Sequence, residues 1–302
     1  LKMNAGRFFL SSGQALFLLC LSANVMWCSC HLPPAGTTAR VSAQKVRTDS
    51  STQKCKQLFH IKQKAEFLAT DPLLNCYLAL ADGRILRYDS AGLLTAEFGN
   101  FNFGAAACID LSRPLRPLIF YRDFAQVIAL DTRLTELASL DLRDAGLAQC
   151  TALARARDRG LWAYEANQGI LYKLDEQGKI LLQSDPLDLQ LDLSRLYFTQ
   201  IRVSNHYLLL WAPGEGVALF DAFGQFLKFV KLENVRAIQT LDDDHFLLSG
   251  AEELLFYEVE EGVFQTLLLP CGPFEMLQAE IQENRFYLLQ EEKIIVLLLS
   301  NM

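Results

Sequence analysis

What the sequence most plainly lacks is a basic cluster. Its 28 lysines and arginines are outnumbered by 35 acidic residues, and no run of cations interleaved with aromatics occurs. Phosphate contacts need clustered Lys and Arg, so no nucleic-acid partner is expected. Signatures of chemistry are missing as well. The four histidines, His31, His60, His206 and His245, stand far apart and share no ligand spacing with Asp or Glu. There is no CxxC pair, no GxSxG elbow and no Gly-rich phosphate loop, since Gly214-Glu215-Gly216 is too short. No cofactor, no metal ligand set and no catalytic residue is therefore assigned. Of the eight cysteines, Cys20, Cys28 and Cys30 lie near the N-terminus. The other five, Cys55, Cys76, Cys108, Cys150 and Cys271, are an odd, widely spaced set. They read as buried apolar thiols rather than a disulfide framework. Long apolar runs are absent after the N-terminus. Ile294 to Leu299 is far too short to cross a membrane.

The N-terminus carries a targeting signal. Lys2 and Arg7 precede a mainly apolar stretch from Phe8 to Trp27, broken by Ser11, Ser12, Gly13 and Gln14 and again at Ser22 and Asn24, which is the charge-then-apolar order of an export signal. Residues 1–43 are assigned to a signal peptide or N-terminal membrane-targeting segment, 44–56 to a linker and 57–302 to the folded domain. Val41-Ser42-Ala43 before Gln44 fits the small-residue rule for cleavage. Lipidation at Cys30 and retention as a membrane anchor are the alternatives. Either way the protein is expected outside the cytoplasm, in the periplasm or at the cell surface, with membrane association only through this segment. All 35 acidic residues follow it, against 25 of the basic ones, so the rest of the chain has a net charge of −10.

What the sequence has in abundance is internal repetition. Five stretches, Asn75 to Phe98, Leu118 to Leu142, Gly160 to Asp185, His206 to Leu232 and His245 to Leu269, share one grammar: strand, polar turn, strand, acidic turn, strand. The turn acid recurs at Asp89, Asp131, Asp175 and Asp221, spaced by the 42 to 46 residues of a four-stranded propeller blade. In three of these turns Gly92, Gly178 or Gly224 closes what Asp opens, whereas Leu134 stands in the Gly place after Asp131. Asp accepts backbone N–H bonds within such a turn and Gly takes a left-handed conformation without strain. An innermost strand is expected before each stretch: Phe67 to Asp71, Ala107 to Ser112, Ala148 to Leu153, Phe198 to Val203, Arg236 to Leu241 and Glu275 to Ile281. The sixth unit then has only Arg285 to Gln290 and Lys293 to Ser300, and Gln57 to Gln63 forms a strand without a unit. Joining them closes a ring and removes the exposed edges of an open array. The fold class is all-β: a six-bladed β-propeller, four strands per blade, with the last blade closed by the N-terminal strand.

Turns between second and third strands share a face with the links between blades, and loops there vary without disturbing the sheets. Two aromatic groups stand out on that face. Phe101 and Phe103 lie in a Gly-flanked link, and Tyr121-Arg122-Asp123-Phe124 places two aromatics around an Arg–Asp pair. Aromatics with Arg are typical interface anchors, so Phe101, Phe103, Tyr121, Arg122, Asp123 and Phe124 are the candidate partner-binding residues. Thr70, Asp110, Thr151, Gln200, Arg202, Gln239 and Glu280 are the candidate channel-lining residues. Asp242-Asp243-Asp244 reads as a solvated turn tip.

The stretch LIFYRDFAQVIALD from Leu118, the turn FDAFGQF from Phe220 and the opening after Ala43-Gln44 resemble exported propeller proteins of Bacteroidota, of TolB-like or NHL-like type. The resemblance implies a six-bladed propeller outside the cytoplasm and carries over no catalytic residue. With no catalytic constellation visible, the expected function is a non-enzymatic exported propeller that binds a protein or envelope component. The alternative is a metal-dependent, lactonase-like hydrolase with a channel site held by residues such as Asp110 and Glu280.

Overall fold

Aromatic and aliphatic residues bounded by polar turns pair into strands, and the strands sort into six separate four-stranded antiparallel sheets. The computed structural model describes residues 55–192, 194, 196–267 and 274–299. The expected targeting segment, most of the expected linker and Cys271 lie outside these residues. Each sheet is a blade whose strands run from the innermost, A, to the outermost, D. Blade 1 is β2 (Phe67–Thr70), β3 (Cys76–Ala79), β4 (Arg84–Tyr88) and β5 (Leu94–Gly99). Blade 2 is β6 (Cys108–Asp110), β7 (Leu118–Tyr121), β8 (Gln126–Leu130) and β9 (Glu136–Asp141). Blade 3 is β10 (Cys150–Arg155), β11 (Leu161–Glu165), β12 (Ile170–Leu174) and β13 (Ile180–Gln183). Blade 4 is β14 (Gln200–Val203), β15 (Tyr207–Ala212), β16 (Gly216–Asp221) and β17 (Phe226–Lys231). Blade 5 is β18 (Ala237–Thr240), β19 (His245–Ser249), β20 (Leu254–Glu258) and β21 (Val263–Leu267).

Blade 6 is built from both ends of the described chain. Its A, B and C strands are β22 (Gln278–Gln282), β23 (Arg285–Leu289) and β24 (Ile294–Leu299), and its D strand is β1 (Cys55–Ile61). β1 pairs antiparallel with β24 from Cys55 opposite Leu299 to Ile61 opposite Ile294, with an irregularity between Gln57 and Phe59. The closing strand thus begins two residues earlier than its apolar pattern announces, and Cys55 and Lys56 belong to a strand rather than a linker.

Blades pack face to face through six apolar clusters, one at each joint between neighbours. The cluster at the closing joint places Leu68, Leu78 and Leu86 of blade 1 against Tyr287, Ile294 and Val296 of blade 6. Inner and second strands such as β10 and β11 are wholly buried, while outermost strands such as β9 and β13 are largely exposed. Each fully buried Leu, Ile or Phe stabilises the fold by roughly 1.5–3 kcal/mol. Cys76, Cys108 and Cys150 are buried free thiols inside this packing, and burial raises the pKa of all three. Cys55, in contrast, is disulfide-bonded, which corrects its reading as a buried thiol.

Candidate functional site: the link face and the channel

Antiparallel alternation gives the ring two different faces. One carries the A–B and C–D turns and is termed the hairpin face. The other carries the B–C turns and the D–A links between blades and is the link face.

The C–D turns repeat one device. The Oδ1 of Asp89, Asp131, Asp175 and Asp221 each accepts two backbone N–H bonds, from the residues two and four positions on, at 2.8–2.9 Å. Gly92, Gly178 and Gly224 then have φ near +82° to +85°. These glycines also let the turn sit against the preceding blade: a Cβ would meet Phe59 at 2.6 Å, Leu140 at 2.9 Å and Trp162 at 2.9 Å respectively. Leu134 adopts the same left-handed region at φ 60° and is buried. Its side chain joins the cluster between blades 1 and 2, the place that a side chain of the preceding blade takes against the glycine in the other turns.

The link face follows no such rule. Between blades 1 and 2, Asn100 accepts the Asn102 N–H at 3.1 Å and turns the chain. Gly83 lies so close to this link that a Cβ would meet the Gly104 carbonyl oxygen at 2.7 Å. The B–C turn of blade 2 is a 3-10 turn over Arg122–Phe124, closed by Ala125 in the left-handed region. These two segments bring the candidate aromatics together: the Phe103 ring centroid lies 5.4 Å from Tyr121 and 5.5 Å from Phe124. Their environments differ. Tyr121 is 0% exposed and Phe103 half-buried, whereas Phe101 is 75% and Phe124 41% exposed. Tyr121 therefore supports the cluster from beneath and offers no surface. Asp123 is exposed beside it.

Arg122 behaves unlike a surface anchor. From blade 2 its Nε donates to the Thr151 carbonyl at 2.7 Å and its Nη2 to the Thr199 carbonyl at 3.0 Å. It therefore spans the joint between blades 3 and 4. Its guanidinium also lies 5.9 Å from the ring of Tyr197, which is 56% exposed in the blade 3–4 link. Tyr197 is a further exposed aromatic on this face, held near Arg122, that the sequence does not announce. Only the fold brings Tyr197 beside a turn in another blade, and no local pattern marks it.

The inner strands surround a cavity of about 700 Å³, the central channel, lined among others by Thr70, Asp110, Gln200, Arg202, Gln239 and Glu280. Thr151 is buried at an irregularity in the pairing of β10. Most of these polar groups staple one blade to the next. Asp110 accepts the Arg155 N–H at 2.7 Å, and Arg202 Nε donates to the Ile238 carbonyl at 2.6 Å. Gln239 bonds both the N–H and the carbonyl of Ile281, at 2.8 and 2.7 Å. The closing joint is the most heavily tied. Gln278 bonds the N–H and carbonyl of Leu68 at 3.0 and 2.8 Å, and Glu280 Oε2 accepts from both the N–H and Oγ1 of Thr70 at 2.8 Å. Blade 3 presents Ala152 and Ala154 to blade 4, and Arg122, reaching over from blade 2, supplies polar bonds to both sides of that joint. Desolvation pushes the Glu280 carboxyl up to about 7, against the pull of Thr70 and Arg202.

No protein-family model matches the sequence and no curated protein matches it. Solved structures do. BamB from Moraxella catarrhalis superposes with a TM-score of 0.51 at 12% identity, over 82% of this chain and 99% of that one. The Cps50 (Swd1) β-propeller domain of Myceliophteria thermophila gives 0.56 at 12% identity, over 82% and 100%. Virginiamycin B lyase from Staphylococcus aureus gives 0.57 at 10% identity, over 82% and 99%. The shared feature is the propeller. At these identities the likeness concerns the fold alone.

Asp110 and Glu280 are each engaged by hydrogen bonds within the fold. Asp110 is held by Ser112 and Arg155, Glu280 by Thr70 and Gln278. Among the described residues no three His, Cys, Asp or Glu side chains gather as a metal site. His206 and His245 sit on the hairpin face, paired with Asp244 and Asp242. Asp243 is bonded to Asn205, so the acidic triplet ties the turns of blades 4 and 5 together.

Proposed function

We propose that the protein is a non-enzymatic, exported propeller of the cell envelope that binds a protein partner through its link face. The observation that carries this reading is that Phe101, Phe124 and Tyr197 are all exposed on the link face, with Tyr197 beside Arg122. Exposed large apolar groups on the hairpin face, Leu73, Leu93, Leu115 and Phe223, are scattered over three blades. Aromatic anchors around an arginine are the usual energetic centre of a protein interface. The partner surface would meet Phe101, Phe124 and Tyr197, with Phe103, Tyr121 and Arg122 holding them in place and Asp123 at the rim. Export, to the periplasm or the cell surface, rests on the N-terminal signal pattern, on the resemblance to exported Bacteroidota propellers and on the disulfide at Cys55, a bond typical of oxidising compartments.

The hydrolase alternative is the weaker reading because the carboxylates it needs are already engaged in staples and arginines crowd the channel. Elemental analysis separates the two: stoichiometric calcium or zinc in purified protein would revive the enzyme. The binding reading is tested by placing a photo-crosslinking amino acid at Phe101 or, as the control, at Leu93 on the opposite face, in the exporting cell. A discrete adduct at Phe101 alone, lost in Phe124→Ala and Tyr197→Ala, supports it. Equal labelling from both faces discards it.

A further inference from the structure

The channel is electrically uneven along its length. Six arginines line it, Arg113, Arg122, Arg155, Arg157, Arg202 and Arg236, against four carboxylates, Glu66, Asp110, Asp242 and Glu280, although the chain as a whole carries −7. Toward the hairpin face the arginines are paired, Arg113 with Glu176, Arg155 with Asp110 and Arg157 with Asp243. Arg122 and Arg236 toward the link face, and Arg202 midway along β14, are not. Among the described residues Arg122, Arg202 and Arg236 form no ion pair. Their bonds to oxygen run to main-chain carbonyls, those of Thr151, Thr199, Ile238 and Met276.

Arg202 reaches the axis of the ring. It starts on blade 4, donates to blade 5 at Ile238, and its charge acts on Cys108 of blade 2 and Glu280 of blade 6. Glu280 does not neutralise it by contact, because its oxygens are held by Thr70 and Gln278. Glu66, the other carboxylate toward this end, is exposed. Next to Arg202 along the same strand face, Gln200 has a buried side-chain oxygen with no hydrogen-bond partner, and the buried hydroxyl of Thr151 also has none. The amide oxygen and nitrogen of Gln are interchangeable by rotation, so this group can present a donor. Buried polar atoms are almost always satisfied, and the half-buried guanidiniums of Arg122 and Arg202, without an ion pair, call for a counter-charge, whereas Arg236 is exposed and adds its charge at the rim. The cavity, at about 700 Å³, is of the size that takes small ligands.

We propose that the link-face half of the channel is an anion-binding site in which Arg122, Arg202 and Arg236, with the Gln200 amide, hold the carboxylate or phosphate group of a small ligand. Such contacts are charge-assisted and bidentate where the arginine fork is free. The site is independent of a protein partner, since it lies inside the ring.

The test is calorimetric titration of the purified protein with inorganic phosphate in one arm and citrate in the other, at low and high sodium chloride. Saturable one-to-one binding is expected with at least one of the two, weakening as salt rises, and the arm that binds more tightly distinguishes phosphate from carboxylate. Gln200→Glu leaves every inter-blade staple in place and puts a negative charge beside Arg202, so it should weaken binding at least tenfold. Arg236→Gln, which gives up only the bond to Met276, should do the same and serves if the first variant melts early. Binding of neither anion, or affinity unchanged in the variants, would overturn the site.

Discussion

On the hairpin face four blades close their C–D turns with the same pair of aspartate bonds. On the link face the connections differ in length and build: a Gly-flanked loop after blade 1, a 3-10 turn at Leu142–Ala145 after blade 2 and a longer segment with a 3-10 turn at Leu187–Leu189 after blade 3. The first face repeats because it has one task, to close hairpins against the preceding blade. The second is free of that constraint, and it is where aromatic side chains and an unpaired arginine gather. Repetition marks the scaffold, and departures from it mark the surface on which selection can act.

The largest effect should come from removing the support of both faces at once. Deleting Cys55–Ile61 strips β24 of its partner and uncovers the cluster around Leu68 and Tyr287. A single cooperative melt should then be lost, as scanning calorimetry would show. Next comes the closing joint. The Glu280 carboxyl is pushed up to about 7 from 4.5 by burial, so the native state holds a proton that the unfolded chain has released. Stability should be highest at pH 4–5, fall as pH rises to about 7 by about 3 kcal/mol, and level off above. Glu280→Gln should abolish this slope in denaturant melts across that range, and an unchanged slope would assign it to other groups. Smaller again is the hairpin face. Asp221→Ala removes two backbone bonds to a carboxylate and should cost about 1–3 kcal/mol, lowering Tm by roughly 2–4 °C per kcal/mol, with crosslinking from Phe101 unaffected. Smallest in stability is the link face: Phe101→Ala should stay within about 0.5 kcal/mol while losing contact with a partner. A Phe101 variant that melts early, or an Asp221 variant that loses the adduct, would show that the two faces do not divide the work this way.

The regular half of the molecule is legible in the sequence because its physics is local. An aspartate that bonds residues two and four positions on leaves its mark within five residues, and four such marks set the repeat length from which the two unmarked blades and the displaced strand follow. The limits of the innermost strands are less clear. The pattern points to Ala148 to Leu153 where the strand is Cys150–Arg155, since a run of small apolar residues carries no register. Leu134 occupies a glycine's place for a reason that only packing reveals. The irregular half is legible in part. Phe101, Phe103 and Phe124 declare themselves by type and by their flanking turns. Tyr197 and the reach of Arg122 do not, because the bond from Arg122 to Thr199 spans 77 positions and no local pattern encodes it.

Both faces and the channel take their shape from the closure of the sixth blade by β1. His60 stands opposite Ile295 in the β1–β24 pair of this blade. Oxidising a His60→Cys, Ile295→Cys double variant and mapping its disulfides by peptide mass spectrometry addresses the point directly. A linkage between the two introduced cysteines, formed in the folded monomer with the melt retained, is the expected result. Two thiols that stay apart, or that link only between molecules, would mean the ring is not shut in this way.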